Sequence, residues 1–181
     1  MVTTGSLITK KIIAYSLKDL LKDTPYDKIS IKHIMDHADY RRQTFYDHFT
    51  DKQDLLTWIY QQELQEVVEH FINYESWEQI FHRLLAHFEK QANFYQKTMN
   101  NDNVFSTVVT KQLNHFILYI IQDQTHPHQA QVKEDALFFA YGITHMTKDW
   151  LSTPKHANSE TLATLFIRQL NQLKKRQEGI S

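Results

Sequence analysis

Three consecutive polar residues, Arg41, Arg42 and Gln43, carry the most informative chemistry in this chain. In the major groove of DNA, arginine pairs with guanine and glutamine with adenine through two hydrogen bonds on the base edge. These residues begin a short predicted helix, where cations oppose the helix dipole at a cost of roughly 0.3–1 kcal/mol each. Selection for stability alone would favour Asp or Glu there. The segment therefore favours a role in recognising DNA bases, although a solvated basic patch on a helical turn also fits these residues taken alone.

Side chains that follow could hold the phosphates on either side of such base contacts. Tyr46, His48 and Lys52 all carry hydrogen-bond donors, and donors of this kind fix a protein's register on the duplex without reading its sequence. The predicted interface thus combines base-reading and phosphate-holding groups within one short segment.

Two short helices and a tight turn must position these side chains. We predict the first helix over Ile31–His37, a turn at Asp39-Tyr40, and the second helix over Arg41–His48. Neither can bury much surface alone, so a third helix, predicted over Ser6–Asp23, must complete the core. This is the helix-turn-helix arrangement, in which the second helix enters the major groove.

Longer amphipathic helices follow this head. Thr50-x-x-Gln53 and Ser76-x-x-Gln79 have the form of capping boxes, and Ser76 opens a stripe that we extend from Trp77 to Tyr95. Two final helices are predicted at about 132–151 and 159–176. No stretch shows strand alternation. We therefore predict an all-α chain, with a three-helix DNA-binding domain at 1–50 and a helical bundle at 51–181.

Composition excludes several classes of protein. There is no cysteine, and the three glycines are scattered, so neither a thiolate metal site nor a glycine-rich nucleotide loop can be built. His33 and His37 are four residues apart, as metal ligands can be, but nothing completes the set, and a surface or phosphate-facing role is favoured. No catalytic arrangement is identifiable. We expect no metal, no cofactor and no enzymatic activity.

A ligand site in the helical bundle has weaker support. The aromatic residues recur at helical spacing, which is more often plain core than a pocket. If an effector pocket exists, Tyr141, His145 and Asp149, one turn apart on a late helix, are candidates for its polar groups.

No membrane association is expected from the sequence. The first seven residues lack the apolar run of a secretory signal, and the apolar stretch Phe116–Ile121 is too short to span a bilayer. These features predict a cytoplasmic protein.

The segment from Ser30 to Leu56 resembles the DNA-binding region of the TetR family. The matching positions are Ser30, Ile34, Ala38, Thr44, Phe45, Tyr46, His48, Phe49, Lys52, Leu55 and Leu56. The family usually has glycine where Asp39 stands. It often has Ser, then Lys or Arg, then a small residue where Arg41, Arg42 and Gln43 stand, which puts the operator sequence in doubt. The DNA-binding residues that we predict from chemistry and resemblance together are Ser30, Arg41, Arg42, Gln43, Thr44, Tyr46, His48 and Lys52.

The resemblance also implies partners and mechanism. TetR-type regulators bind double-stranded operator DNA as homodimers, and the last two helices would form the dimer contact. Three short segments, at 7–14, 41–46 and 94–97, resemble the DhaS-type subgroup, which activates dihydroxyacetone kinase operons. In that subgroup a kinase-like coactivator protein, rather than the regulator, holds dihydroxyacetone. The alternative is a TetR-type repressor released from DNA by a small molecule bound in its own helical core.

Overall fold

The computed structural model describes residues 4–101, 103–121, 129–153 and 158–178. These residues form helices joined by turns, without a strand in the described ranges, which confirms the predicted all-α class. The helices are α1 (Thr4–Leu20), α2 (Ile31–His37), α3 (Arg42–Tyr46), α4 (Lys52–Leu64), α5 (Trp77–Lys90), α6 (Ala92–Thr98), α7 (Val104–Ile121), α8 (Gln129–Ser152) and α9 (Ser159–Glu178). A 3₁₀ turn at Tyr26–Lys28 precedes α2, and a π turn at Gln65–Glu69 follows α4.

The described residues group into two compact units, one within 1–61 and 93–105 and the other within 62–92 and 106–181. The first unit contains α1, α2 and α3, with most of α4 and α6. The predicted division at residues 50 and 51 concerns which segment carries which function, and it stays a prediction.

The core of the first unit forms where α1, α2 and α3 meet. Ile13 and Leu17 of α1, Ile34 of α2 and Phe45 of α3 are fully buried, at 0% exposure each. Phe49 lies beside Phe45, with their ring centroids 5.6 Å apart. The two short helices therefore owe their order to a shared apolar core, as their lengths require.

The turn between α2 and α3 is a Schellman motif. Asp39 has φ 56°, in the left-handed region, and its amide donates to the Asp36 carbonyl at 3.3 Å. The Tyr40 amide donates to the Met35 carbonyl at 3.0 Å. Asp39 thus adopts the conformation that glycine usually provides in this turn, at a steric cost that Asp bears better than most residues.

Several predicted helix boundaries differ from those observed. Helix α1 ends at Leu20 rather than Asp23, and α3 is shorter at both ends than the predicted Arg41–His48. The capping interactions before α4 differ from the predicted box of Thr50 and Gln53: the Asp54 amide donates to Asp51 Oδ1 at 2.8 Å. Asp54 Oδ2 accepts from the Thr50 amide at 3.0 Å, so Asp54 replaces Gln53 in the predicted box.

The start of α5 matches its prediction, whereas its end does not. Ser76 and Gln79 form the expected capping box. However, the helix ends at Lys90, and Tyr95 lies on the separate helix α6, where its ring stacks on Tyr60 with centroids 5.6 Å apart. The predicted stripe from Trp77 to Tyr95 therefore joins residues of two helices.

The second unit is organised around α5, α7, α8 and α9. Phe81 of α5 stacks on Phe116 of α7 with centroids 5.4 Å apart, and Thr110 of α7 donates to the buried Thr144 of α8 at 3.1 Å. Glu89 of α5 accepts hydrogen bonds from the amide and hydroxyl of Ser159 at the start of α9, at 3.3 Å and 2.6 Å. The core of the bundle thus lies between these helices.

Helix α7 contains the apolar stretch Phe116–Ile121. That stretch belongs to an 18-residue helix which, among the described residues, is the one long and apolar enough to cross a membrane by length and composition. Because 56% of it is buried inside the protein, it has the character of a core helix.

Candidate nucleic-acid interface

Helix α3 presents its first residues to solvent. Arg41 occupies the N-cap position with an extended backbone, and Arg41, Arg42 and Gln43 are all exposed. Thr44 is half-buried, and Phe45 is fully buried. The helix therefore has one side anchored in the core and another bearing groups suited to base edges, which is the geometry that recognition in the major groove requires.

Arg42 and Tyr46 are paired on the exposed side of α3. The Arg42 Nη2 atom donates to Tyr46 Oη at 3.0 Å, and the guanidinium carbon lies 5.7 Å from the centroid of the tyrosine ring. Tyr46 itself is 43% exposed. The structure thus brings together two of the residues that the sequence predicted for DNA binding.

Ser30 organises the start of α2. Its hydroxyl oxygen accepts from the His33 amide at 3.1 Å, and His33 Nδ1 accepts from the Ser30 amide at 3.3 Å. Together they form a capping box with histidine in the place usually held by Glu or Gln. This role of His33 was not predicted from the sequence, because histidine is not the usual residue at that position.

His37 has a different partner from His33, which separates the two histidines chemically. His37 Nε2 lies 3.0 Å from Asp19 Oδ2 on α1, and Lys22 Nζ donates to Asp19 Oδ1 at 2.6 Å. The hydrogen bond from Lys22 lowers the pKa of the Asp19 carboxyl, and the contact with His37 acts in the same direction. Within the part of the chain that the structure describes, no group of three metal-ligating side chains is found.

His48 and Lys52, predicted to hold phosphates, both contact neighbouring parts of the same unit. His48 is half-buried, with Nδ1 at 3.5 Å from Ser6 Oγ of α1. Lys52 Nζ donates to the carbonyls of Tyr26 and Ile29, at 2.9 Å and 2.6 Å, and lies 4.3 Å from the Tyr26 ring centroid. Burial lowers the pKa of Lys52. Its ammonium thus joins the 3₁₀ turn to the start of α4, a structural role that the sequence did not predict.

Replacement of Lys52 by Ala is expected to have two measurable effects. Loss of hydrogen bonds to two carbonyls should lower the free energy of unfolding by about 1–2 kcal/mol. Loss of the predicted phosphate contact should weaken binding to all DNA sequences alike and reduce the salt slope by about one for each subunit bound. Urea denaturation and binding titrations at several salt concentrations test these effects.

Lys32→Ala is the matched control for the Lys52 variant, because Lys32 is an exposed lysine of the same unit. Unchanged stability in the Lys52 variant would contradict the structural role. A salt slope equal to that of the unmodified protein would contradict the phosphate contact.

Lys97 on α6 makes a contact that sequence reasoning did not identify. Its ammonium donates to the carbonyls of Leu21 and Lys22 just after α1, the latter at 2.8 Å. A cation at this position satisfies carbonyls left free at a helix C-terminus and is favoured by the helix dipole. Because the two contacting segments are 75 residues apart in sequence, spacing gave no signal for this interaction.

The three residues proposed for an effector pocket lie on the exposed side of α8. Tyr141, His145 and Asp149 are all exposed, and His145 Nδ1 lies 3.2 Å from the Tyr141 carbonyl oxygen of its own helix. None of them lines the apolar groove between α8 and α9. A ligand-binding role for them stays a prediction.

An open apolar groove of about 290 Å³ lies between α8 and α9. Phe138 and Met146 on its rim are 75% and 44% exposed, and a Cβ atom added to Gly142 would meet nothing within 4 Å. The residues that line the groove are Phe138, Phe139, Gly142, Ile143, Met146, Leu165, Phe166 and Gln169. Apolar surface of this kind on a helix pair is characteristic of an interface with another protein.

Comparison with known proteins finds two family models that match separate parts of this chain. Residues 17–57 match the family model described as "Bacterial regulatory proteins, tetR family", and residues 75–172 match "Transcriptional regulator C-terminal region". The chain is 36% identical over 113 residues to the HTH-type dhaKLM operon transcriptional activator DhaS of Lactococcus lactis, an alignment that includes 62% of this chain. The aligned part of the chain spans only 56% of the length of that relative.

Solved structures extend the likeness over nearly the whole chain. A structure of the dihydroxyacetone kinase operon activator DhaS matches with a TM-score of 0.76 and 28% identity, covering 93% of this chain and 97% of that one. A TetR transcriptional regulator from Streptococcus agalactiae matches with a TM-score of 0.66 and 20% identity, over 92% and 95% of the two chains, and shows the shared fold.

The predicted resemblance is confirmed, and it extends beyond the N-terminal segment on which it was based. Proteins of this kind are DNA-binding transcription regulators that usually dimerise, which agrees with the expectation of a protein without enzymatic activity. Since the C-terminal model alone matches more than half of the 181 residues, this chain belongs to the TetR family of bacterial transcription regulators, which bind DNA.

Proposed function

We propose that this chain activates a dihydroxyacetone kinase operon by binding its operator as a homodimer. The observation that carries the DNA-reading part is the exposure of Arg41, Arg42 and Gln43 on a helix whose Phe45 is fully buried. The activator part is carried by similarity to DhaS, at 36% identity over 113 residues and by structure over 93% of the chain. A protein acting on operator DNA in this way works in the cytoplasm.

In this proposal, residues 1–50 and residues 51–181 have different functions. The first segment binds double-stranded DNA, with Arg41, Arg42 and Gln43 reading bases and with Ser30, Thr44, Tyr46, His48 and Lys52 orienting the head or holding phosphates. The second segment regulates and dimerises, with the α8–α9 groove as the contact between copies. Two heads spaced about 34–36 Å apart would read a near-palindromic operator.

The proposed inducer pathway passes through a partner protein. A coactivator resembling a dihydroxyacetone kinase subunit would hold dihydroxyacetone and dock on the regulator, so the regulator would need no ligand of its own. Calorimetry of the regulator with dihydroxyacetone, in the presence and absence of such a kinase-like protein, tests this step. Heat of binding from the regulator alone would instead favour the repressor alternative.

Replacement of Arg42 or Gln43 by Ala tests the base-reading assignment. Each variant should lose roughly 1–3 kcal/mol of discrimination at one position of each half-site, with little change in stability because both side chains are exposed. Gel-shift titrations against the DNA upstream of its own gene, with single base-pair replacements, measure this loss. If Arg42→Ala leaves operator affinity and base preference unchanged, the recognition assignment is wrong.

A further inference from the structure

We infer that Tyr46 is a positioning residue, which holds Arg42 ready to read guanine while offering its own hydroxyl proton to a neighbouring phosphate. The inference rests on the proposed DNA-reading role of α3. The observation that supports it is the hydrogen bond of 3.0 Å from Arg42 Nη2 to Tyr46 Oη, together with the distance of 5.7 Å between the guanidinium carbon and the centroid of the tyrosine ring.

The spacing of the pair explains why these side chains meet. Arg42 and Tyr46 are the first and last residues of α3, four positions apart, and side chains four apart lie on the same face of a helix. A free arginine samples many rotamers, and a hydrogen bond combined with a cation–π contact restricts them before DNA arrives. Arg42 is thus ordered without being buried.

Tyr46 can serve as a support because it is itself anchored. Its ring makes an edge contact with Phe45, with centroids 5.6 Å apart and an interplanar angle of 79°. Phe45 is fully buried in the core shared by α1, α2 and α3. Packing against the buried Phe45 therefore restricts the conformations of Tyr46, and Tyr46 in turn restricts those of Arg42.

Arg42 and Tyr46 retain hydrogen-bond donors for DNA after they have bonded to each other. A tyrosine hydroxyl accepts through its lone pairs and donates one proton, so accepting from Arg42 leaves that proton for a phosphate oxygen. A guanidinium has five N–H donors, and using one leaves others for the O6 and N7 atoms of guanine. One tyrosine thereby links a base contact to a backbone contact.

The test replaces Tyr46 by Phe, which removes the hydroxyl and keeps the ring. The probes are duplexes that the unmodified protein selects from a library with a randomised centre, together with the same duplexes carrying single base-pair replacements. We expect the preference for guanine at one position of each half-site to fall about three- to tenfold in Tyr46→Phe, a part of what a bidentate arginine contact supplies. A purely structural loss would weaken all duplexes equally and leave this ratio unchanged.

A double-mutant cycle with Arg42→Ala completes the test. If Tyr46 acts through Arg42, the double variant should discriminate at that position no worse than Arg42→Ala alone, and Tyr74→Phe, an exposed tyrosine at 85%, should behave as the unmodified protein. Uniform weakening by Tyr46→Phe with unchanged base preference would overturn the inference and leave the proposed function intact. Failure of the unmodified protein to select any duplex would overturn both.

Discussion

Replacement of Gly142 by Arg is expected to convert the protein to monomers and to weaken operator binding by about a hundredfold or more. Gly142 is exposed on α8 in the groove beside α9, and an added Cβ meets nothing within 4 Å inside its own chain. The subunit should therefore fold normally, whereas a charged side chain facing a second copy would be desolvated without a partner. Loss of the linked second head removes the gain that joining two half-site contacts provides, on the order of 10²–10⁴.

Analytical ultracentrifugation and gel-shift titration measure these two effects. Ala86→Arg is the matched control, because it adds the same side chain at an exposed small residue of α5 in the same unit. A Gly142→Ala variant adds a sharper comparison: it should stabilise the helix by about 1 kcal/mol yet weaken a dimer whose helices approach closely there. A Gly142→Arg protein that remains dimeric at the concentrations of the unmodified protein would show that copies meet elsewhere.

Replacement of Phe45 by Ala is expected to lower the free energy of unfolding by about 3–5 kcal/mol and to abolish operator binding. Phe45 is fully buried, and its ring contacts those of Tyr46 and Phe49, with centroids 5.6 Å away in both cases. Helix α3 has only five residues, too few to hold its shape without this anchor. The cost is large against the 5–15 kcal/mol that stabilises a typical domain.

Urea denaturation followed by circular dichroism gives the stability of the Phe45 variant, and gel shift gives its DNA affinity. Phe45→Leu is the matched control, since it keeps an apolar side chain and leaves a smaller cavity, so both losses should be much reduced. If Phe45→Ala bound operator as the unmodified protein does, burial of this ring would not be what presents the recognition helix.

Local sequence signals were sufficient where a helix is defined by its own cap and turn. The predicted bounds of α2 match the observed Ile31–His37, because Ser30 caps it and the residues after His37 form a turn. The residue whose side chain caps α4 was misplaced by one position, because adjacent Thr50 and Asp51 can both cap a helix. The break between α5 and α6 at Gln91 has neither glycine nor proline to mark it.

Side-chain partners distant in sequence could not be predicted in the same way. The sequence predicted a phosphate contact for Lys52, but the contacts of Lys52 with the Tyr26 and Ile29 carbonyls depend on how the 3₁₀ turn packs beside α4. The contact between His37 and Asp19 likewise depends on the packing of α2 against α1. Residue type predicted which groups could contact DNA, and tertiary structure determines what each one touches within the protein.

On α3 the residue that anchors the helix is separate from the exposed residues proposed to contact bases, and this separation has an evolutionary consequence. The buried Phe45 sustains the shape of the helix, while Arg41 and Gln43 are exposed and so lie outside the core it forms. If Arg41 and Gln43 read bases as proposed, mutations at these two positions should be nearly neutral for folding while they change which duplex is preferred. A lineage carrying this fold can thus acquire new target genes by a few codon changes, with the architecture left unaltered.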